Sequence, residues 1–146
     1  MKPGIVSVLL VMLQLGGLAA VVFTGPVIAT SLPWLLLQGA GLVLGFWAVL
    51  AMRPKNLSIT PEPRSGARLV CRGPYRVLRH PMYTSLMMVV GALLADDWSI
   101  SRCGTALLLT FVLVLKMHRE ESFLRATYPT YTQYAESTWR LVPLLY

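Results

Sequence analysis

Gly73-Pro74-Tyr75-Arg76-Val77-Leu78-Arg79-His80-Pro81-Met82-Tyr83 is basic, aromatic and punctuated by proline, and it lies between long apolar runs. Reading it as a membrane-surface element between bilayer-crossing helices decides the fold. Pro74 and Pro81 each push the preceding residue out of the α region, and proline suits the first position of a helix, where a missing N–H costs nothing. His80 is therefore expected at a helix entrance. The helix would run from Pro81 through Met82 to Ala95, a stretch with no breaker except Gly91. At such an entrance the leading N–H groups and the positive helix end favour a carboxylate or phosphate.

Upstream, Ile5 to Phe23 and Leu32 to Met52 carry no charge. At about 1.5 Å per residue each approaches the ~30 Å hydrocarbon thickness of a bilayer. Gly25-Pro26 through Leu32-Pro33 is an uncharged turn that sends the second helix back antiparallel. Downstream, Met82 to Ala95 is short for a span, covering about 21 Å at helical rise. Asp96-Asp97-Trp98 forms a turn, and Ile100 to Leu115 returns as a fourth apolar run before the polar and aromatic tail from Lys116. Phe23-Thr24-Gly25-Pro26 makes a poor cleavage site, so the first run reads as a retained span rather than a secretory signal. Gly39, Gly41 and Gly45 follow no strand, and in a membrane helix small residues serve close helix approach rather than dinucleotide binding.

The composition agrees with this layout. The chain has 146 residues, 55% hydrophobic and 13% charged, with a mean hydropathy of +0.62, too apolar for an ordinary soluble domain. Its net charge of +7 then reflects loop asymmetry and gives no reason to expect a nucleic-acid partner. Residues 53–79 carry Arg53, Lys55, Arg64, Arg68, Arg72, Arg76 and Arg79 against a single acid, Glu62. Twelve of the thirteen Lys and Arg residues fall on one side of a four-span arrangement, Arg102 alone on the other. By the positive-inside rule both termini and the 53–79 loop are cytoplasmic, and the expected location is the plasma (inner) membrane. Cys71 and Cys103 fall on opposite faces and do not pair, and no metal-ligand spacing is present. The expectation is an all-α polytopic membrane protein of about four transmembrane helices in two hairpins with a cytosolic cofactor site. It would form a single domain over 1–146, with an N-terminal hairpin at 5–52 and a cofactor-binding and catalytic region at 53–146.

Gly-Pro-Tyr, then Arg-His-Pro-x-Tyr, then Arg119-Glu120-Glu121 after a helical hairpin, then Tyr128-Pro129-x-Tyr131-x-x-Tyr134 and Arg140-Leu-Val-Pro143, occur here in order. This series resembles the integral-membrane isoprenylcysteine carboxyl methyltransferase and phospholipid methyltransferase superfamily, over roughly Asn56 to Tyr146. The resemblance implies S-adenosyl-L-methionine bound by Arg68, Leu69, Val70, Tyr75, His80, Pro81, Met82, Tyr83 and Glu120. Lys116 stands where the carboxyl methyltransferases often have an arginine near the substrate, and Ser85 where the superfamily usually has glycine.

Methyl transfer from a sulfonium is an in-line displacement, so catalysis can come largely from positioning and water exclusion. Arg79 or His80, with the helix N–H groups, suits the cofactor's carboxylate, and Glu120 suits its ammonium. Tyr75 and Tyr83 offer aromatic faces to the adenine or sulfonium. For a carboxylate acceptor Lys116 need only orient it, whereas an amine acceptor requires a base, for which Glu121 or His118 is a candidate. The acceptor would be lipid-like or a small molecule, among membrane lipids, with the oligomeric state open.

Plainer readings stand beside these. Arg53, Lys55, Arg64, Arg72 and Arg76 serve topology and headgroup contact. Lys116 and Glu120, four apart on a helix, would form an exposed ion pair. Tyr128, Tyr131 and Tyr134 would be interfacial anchors or core. For the whole chain the alternatives are an NADPH-dependent membrane reductase of the sterol-reductase type and a non-enzymatic helical membrane protein.

Overall fold

In a computed structural model, residues 4–52, 56–63 and 66–143 are described. Lys2, Arg53, Lys55 and Arg64, expected to set topology, lie outside the described residues. The elements are α1 (Ile5–Phe23), α2 (Leu32–Met52), a 3-10 turn at Gly73–Arg76, α3 (Pro81–Asp96), α4 (Ile100–Thr127) and α5 (Tyr131–Glu136). The chain is all-helical apart from loops, with one isolated parallel bridge joining Leu78 to Trp139 among the described residues. α1, α2 and α4 are long and apolar enough to cross a membrane, while α3 is a shorter apolar helix.

α1 and α2 begin and end where the uncharged runs do, because a spanning helix lasts as long as its side chains can face hydrocarbon. Leu9, Met12, Leu36, Phe46 and Leu108 point outward and are exposed, as lipid-facing side chains should be. α3 starts at Pro81 with His80 as its N-cap. α4 does not end with the apolar run at Leu115. It continues about three turns, and Lys116, Met117 and Glu121 are buried on its inner face.

α1 lies chiefly against α4 and α2 against α3, so the packing partners cross between the two halves of the chain. Val21 of α1, Val90 and Leu93 of α3, and Ala106 and Leu109 of α4 form a shared apolar cluster. Lipid tails are as apolar as leucine, so helices associate through close fit and hydrogen bonds rather than hydrophobic drive. The Ser85 hydroxyl donates to the Gly41 carbonyl at 2.6 Å. A β-carbon on Gly45 would collide with that hydroxyl, so the serine that replaces the expected glycine on α3 is accommodated by a glycine on α2.

The α2 glycines are therefore not equivalent. A β-carbon on Gly41 would stand 3.0 Å from Met88 Cβ and 3.1 Å from the Ser85 carbonyl oxygen, whereas on Gly39 it would meet nothing within 4 Å. Gly41→Ala should lower stability in detergent by about 1–3 kcal/mol, the usual cost of overpacking. Gly39→Ala should be neutral or slightly stabilising. Thermal unfolding of the two variants side by side checks this.

At the end of the bundle where α2 begins, Asp96 accepts from the Thr30 and Ser31 amides at 2.7 and 2.9 Å and from both hydroxyls. It caps the start of α2. Arg102, the lone basic residue expected at this end, is buried and donates to the Asp97 carboxylate at 2.7 Å and the Pro26 carbonyl at 3.0 Å. Cys71 and Cys103 are free thiols.

Candidate active site

At the opposite end α1 and α3 begin while α2 and α4 finish, and the chain closes this end with loops. Proline and polar residues keep the described parts of this loop, 56–63 and 66–70, from forming helix. These two stretches lie across the end of the bundle, tied by the Arg68 amide donating to Asn56 Oδ1 at 3.1 Å and the Tyr128 hydroxyl donating to the Ala67 carbonyl at 2.8 Å. Beneath them is a cavity of about 520 Å³, within the size range of small-molecule sites.

The Arg79-His80-Pro81 entrance is held from the C-terminal side. Arg79 and His80 amides donate to the carbonyls of Trp139 and Arg140, and the Trp139 amide returns a bond to the Val77 carbonyl. The Thr84 hydroxyl adds a bond to the Leu141 carbonyl at 2.8 Å. The ring of His80 stacks on Tyr83, centroids 5.4 Å apart. Its Nδ1 lies 3.7 Å from Glu120 Oε2 and its Nε2 3.4 Å from Glu121 Oε1. Tyr83 donates to Glu120 at 3.0 Å. The amides of Tyr83 and Thr84 are given to the His80 carbonyl, so an anion at this helix end would not be held by them.

Arg68, Leu69, Val70, Tyr75, Arg79, His80, Met82, Tyr83, Lys116 and Glu120 all line the cavity. Pro81 is buried at the helix start and is not part of the lining. Glu121, offered by the sequence as a base, also falls outside the lining. Its carboxylate is 1% exposed and lies 3.0 Å from Arg125, 3.4 Å from Arg140 and 3.5 Å from Arg79. It binds together α4, the entrance and the C-terminal strap. His118, the other candidate base, is exposed, with Nδ1 against its own helix's Val114 carbonyl.

Lys116 and Glu120 do not form the surface pair open to the sequence. Lys116 is buried and donates to Gln14 Oε1 of α1 at 2.5 Å and the Ile59 carbonyl at 3.3 Å. Its ammonium also stands 5.8 Å from the centre of the Tyr83 ring.

The cavity also contains residues that the sequence reading had not placed there. Gln14 and Glu62 line it, as do Tyr128, Tyr131 and Tyr134, the last three having been read as anchors or core. Their spacing three apart, with Pro129 directly after the first, was the signal the sequence carried. Tyr134 donates to the Tyr75 carbonyl at 2.8 Å. Burial, with smaller contributions from nearby negative charge, pushes the Tyr75 and Tyr131 hydroxyls well above the ordinary range, so both are neutral at physiological pH.

The buried side-chain atoms without a hydrogen-bond partner among the described residues are Glu62 Oε2, Arg79 Nε and Tyr131 Oη. Arg79 Nε faces Glu121 Oε1 across 3.5 Å but outside hydrogen-bonding geometry. All three belong to residues of this cavity. Buried polar groups are nearly always satisfied, so an unpartnered carboxylate oxygen and an unpartnered hydroxyl on residues lining one chamber fit a polar ligand. Arg79 and Glu120 in the same lining suit the carboxylate and the ammonium of the methionyl portion of the cofactor implied by the sequence, and the tyrosine rings suit its aromatic and sulfonium parts.

Apolar helices suited to a bilayer, capped by loops at one end over a chamber of mixed charge, mark this as a helical protein of integral-membrane type. The phospholipid methyltransferase family model matches residues 34–131, about two thirds of the chain, from early α2 to the first residue of α5. The chain belongs to that family of membrane methyltransferases. No curated protein matches it.

Proposed function

We propose that this protein transfers a methyl group from S-adenosylmethionine to a lipophilic or membrane-associated acceptor at the cytosolic face of the membrane. The observation that carries the reading is the meeting of Glu120, the His80–Tyr83 stack and segment 67–70 around one chamber at the loop-closed end of the bundle. When bound, the cofactor supplies an electrophilic methyl group on a sulfonium.

The protein's own contribution is positioning. Glu120, still 27% exposed, is placed for an ammonium, and Arg79, in the chamber lining, brings positive charge near a carboxylate. Tyr75 and Tyr83 supply ring faces, and the half-buried Leu57, Leu69 and Val70 give the lining apolar surface. Lys116 has three N–H groups with two protein acceptors, and the third is available to orient an anionic part of the acceptor. No covalent enzyme nucleophile is required. Because Val11, Gln14 and Leu15 of α1 share the chamber with the residues after 56, we read the chain as one functional unit.

The test is protection of the purified protein from thermal unfolding. S-adenosylhomocysteine should stabilise it, and NADPH should not. Stabilisation by NADPH alone would overturn the methyltransferase reading.

A further inference from the structure

Glu62 is the one acid in the long basic loop, and its surroundings are not those of a surface counter-charge. The residue is 4% exposed and lines the chamber. Its Oε1 accepts the Gly4 amide at 3.2 Å and the Ser7 hydroxyl, and that hydroxyl in turn accepts from Arg119 Nε at 3.0 Å. The carboxylate is thus braced by the start of α1 and, through Ser7, by α4. Its other oxygen, Oε2, is buried without a partner among the described residues. Gly4 and Ser7 favour the charged carboxylate, but both act on Oε1 and leave Oε2 unaccounted for.

We propose that Oε2 of Glu62 is a subsite for an alkylammonium, the amine head of the methyl acceptor. Among the described residues, Arg119 reaches Glu62 only through Ser7, Lys116 donates to Gln14 and Ile59, and none bonds Oε2. The unfilled interaction is therefore left for a ligand. An ammonium is the complementary charge, and leaving a buried carboxylate oxygen unsatisfied carries a penalty that such a ligand removes. Two ammonium groups are candidates, the acceptor's and the cofactor's own. Glu120, beside Tyr83 and His80, provides for the second.

Identifying the occupant as the acceptor rests on the methyltransferase reading, and the charge bookkeeping of that reaction supports it. The amine loses its proton to water, then gives its lone pair to the methyl carbon as the carbon–sulfur pair goes to sulfur. Positive charge thereby moves from sulfur to nitrogen, beside Glu62, where a fixed carboxylate favours it. An anionic acceptor at the same place would be repelled.

Full-length protein in phosphatidylcholine nanodiscs is tested with dodecylamine and dodecanoic acid, which share a tail and differ in head. Affinities come from thermal stabilisation with S-adenosylhomocysteine present, and S-adenosylhomocysteine affinity is measured separately by calorimetry. Glu62→Gln keeps an oxygen for Gly4 and Ser7. It should lose roughly tenfold or more in dodecylamine affinity, leave dodecanoate unchanged or improved, and retain S-adenosylhomocysteine binding, which also reports an intact fold. A parallel loss of S-adenosylhomocysteine would assign Oε2 to the cofactor and overturn the proposal. Unchanged dodecylamine binding, or none in the wild type, would overturn it too. Failure of the wild type to bind S-adenosylhomocysteine would instead defeat the methyltransferase reading, with the dodecylamine arm, then run without it, still reporting on the subsite.

Discussion

Glu121→Gln should destabilise the protein more than any other single change at the chamber. The wild-type carboxylate is buried among the guanidinium groups of Arg79, Arg125 and Arg140 and the imidazole of His80. Removing one member of a buried ionic cluster strands its partners, typically at a cost of about 3–5 kcal/mol. Arg125 is half exposed and Arg140 about a quarter exposed, and both can turn toward water, so the lower end of that range is expected. Arg79 and His80 are nearly enclosed and cannot. Unfolding in detergent should show the loss, with protease sensitivity rising first in the strap at residues 139–141. Cofactor affinity measured on the remaining folded fraction should fall less than stability does, because Glu121 does not line the chamber. A variant with wild-type stability and no turnover would return Glu121 to the role of a base.

Glu120→Gln should act in the opposite way, with little effect on stability and a large one on binding. The residue is partly exposed and bonded to Tyr83, and the amide can keep that acceptor. Losing the charge-assisted contact to an ammonium should weaken S-adenosylhomocysteine by about 1–3 kcal/mol, or roughly five- to 150-fold. Lys116→Met should leave that affinity nearly unchanged and lower methyl transfer through acceptor orientation. Lys116→Arg tests the same point, since a planar fork in place of a point charge should improve use of a carboxylate-bearing acceptor if Lys116 faces one. Calorimetry and isotopically labelled methyl transfer into lipid extracts, at saturating cofactor, separate the two roles. Equal losses of cofactor affinity in Glu120→Gln and Lys116→Met would end the division of labour.

The neighbours Glu120 and Glu121 show how far the sequence reached and where it stopped. It determined the limits of α1 and α2, the start of α3 at Pro81 and the gathering of the motifs at one end. Those features follow from uninterrupted apolar runs, from the fixed backbone of proline and from the length a bilayer demands. Consecutive residues on a helix point about 100° apart, so one of two adjacent acids can face a chamber while the other enters a cation cluster. Past Leu115 no simple apolar stripe marks which face turns inward, and only packing decides it. The same holds for contacts between distant parts of the chain. Lys116 finds Gln14 and Glu62 finds Ser7 because α1 lies against α4 rather than simply folding back on α2. Tyr131 lines the chamber because the chain turns at Tyr128 and Pro129 and packs α5 beneath the entrance. Local sequence specifies which segments are helical, but burial and hydrogen-bond satisfaction are properties of the assembled bundle, and they single out the unpartnered oxygen of Glu62.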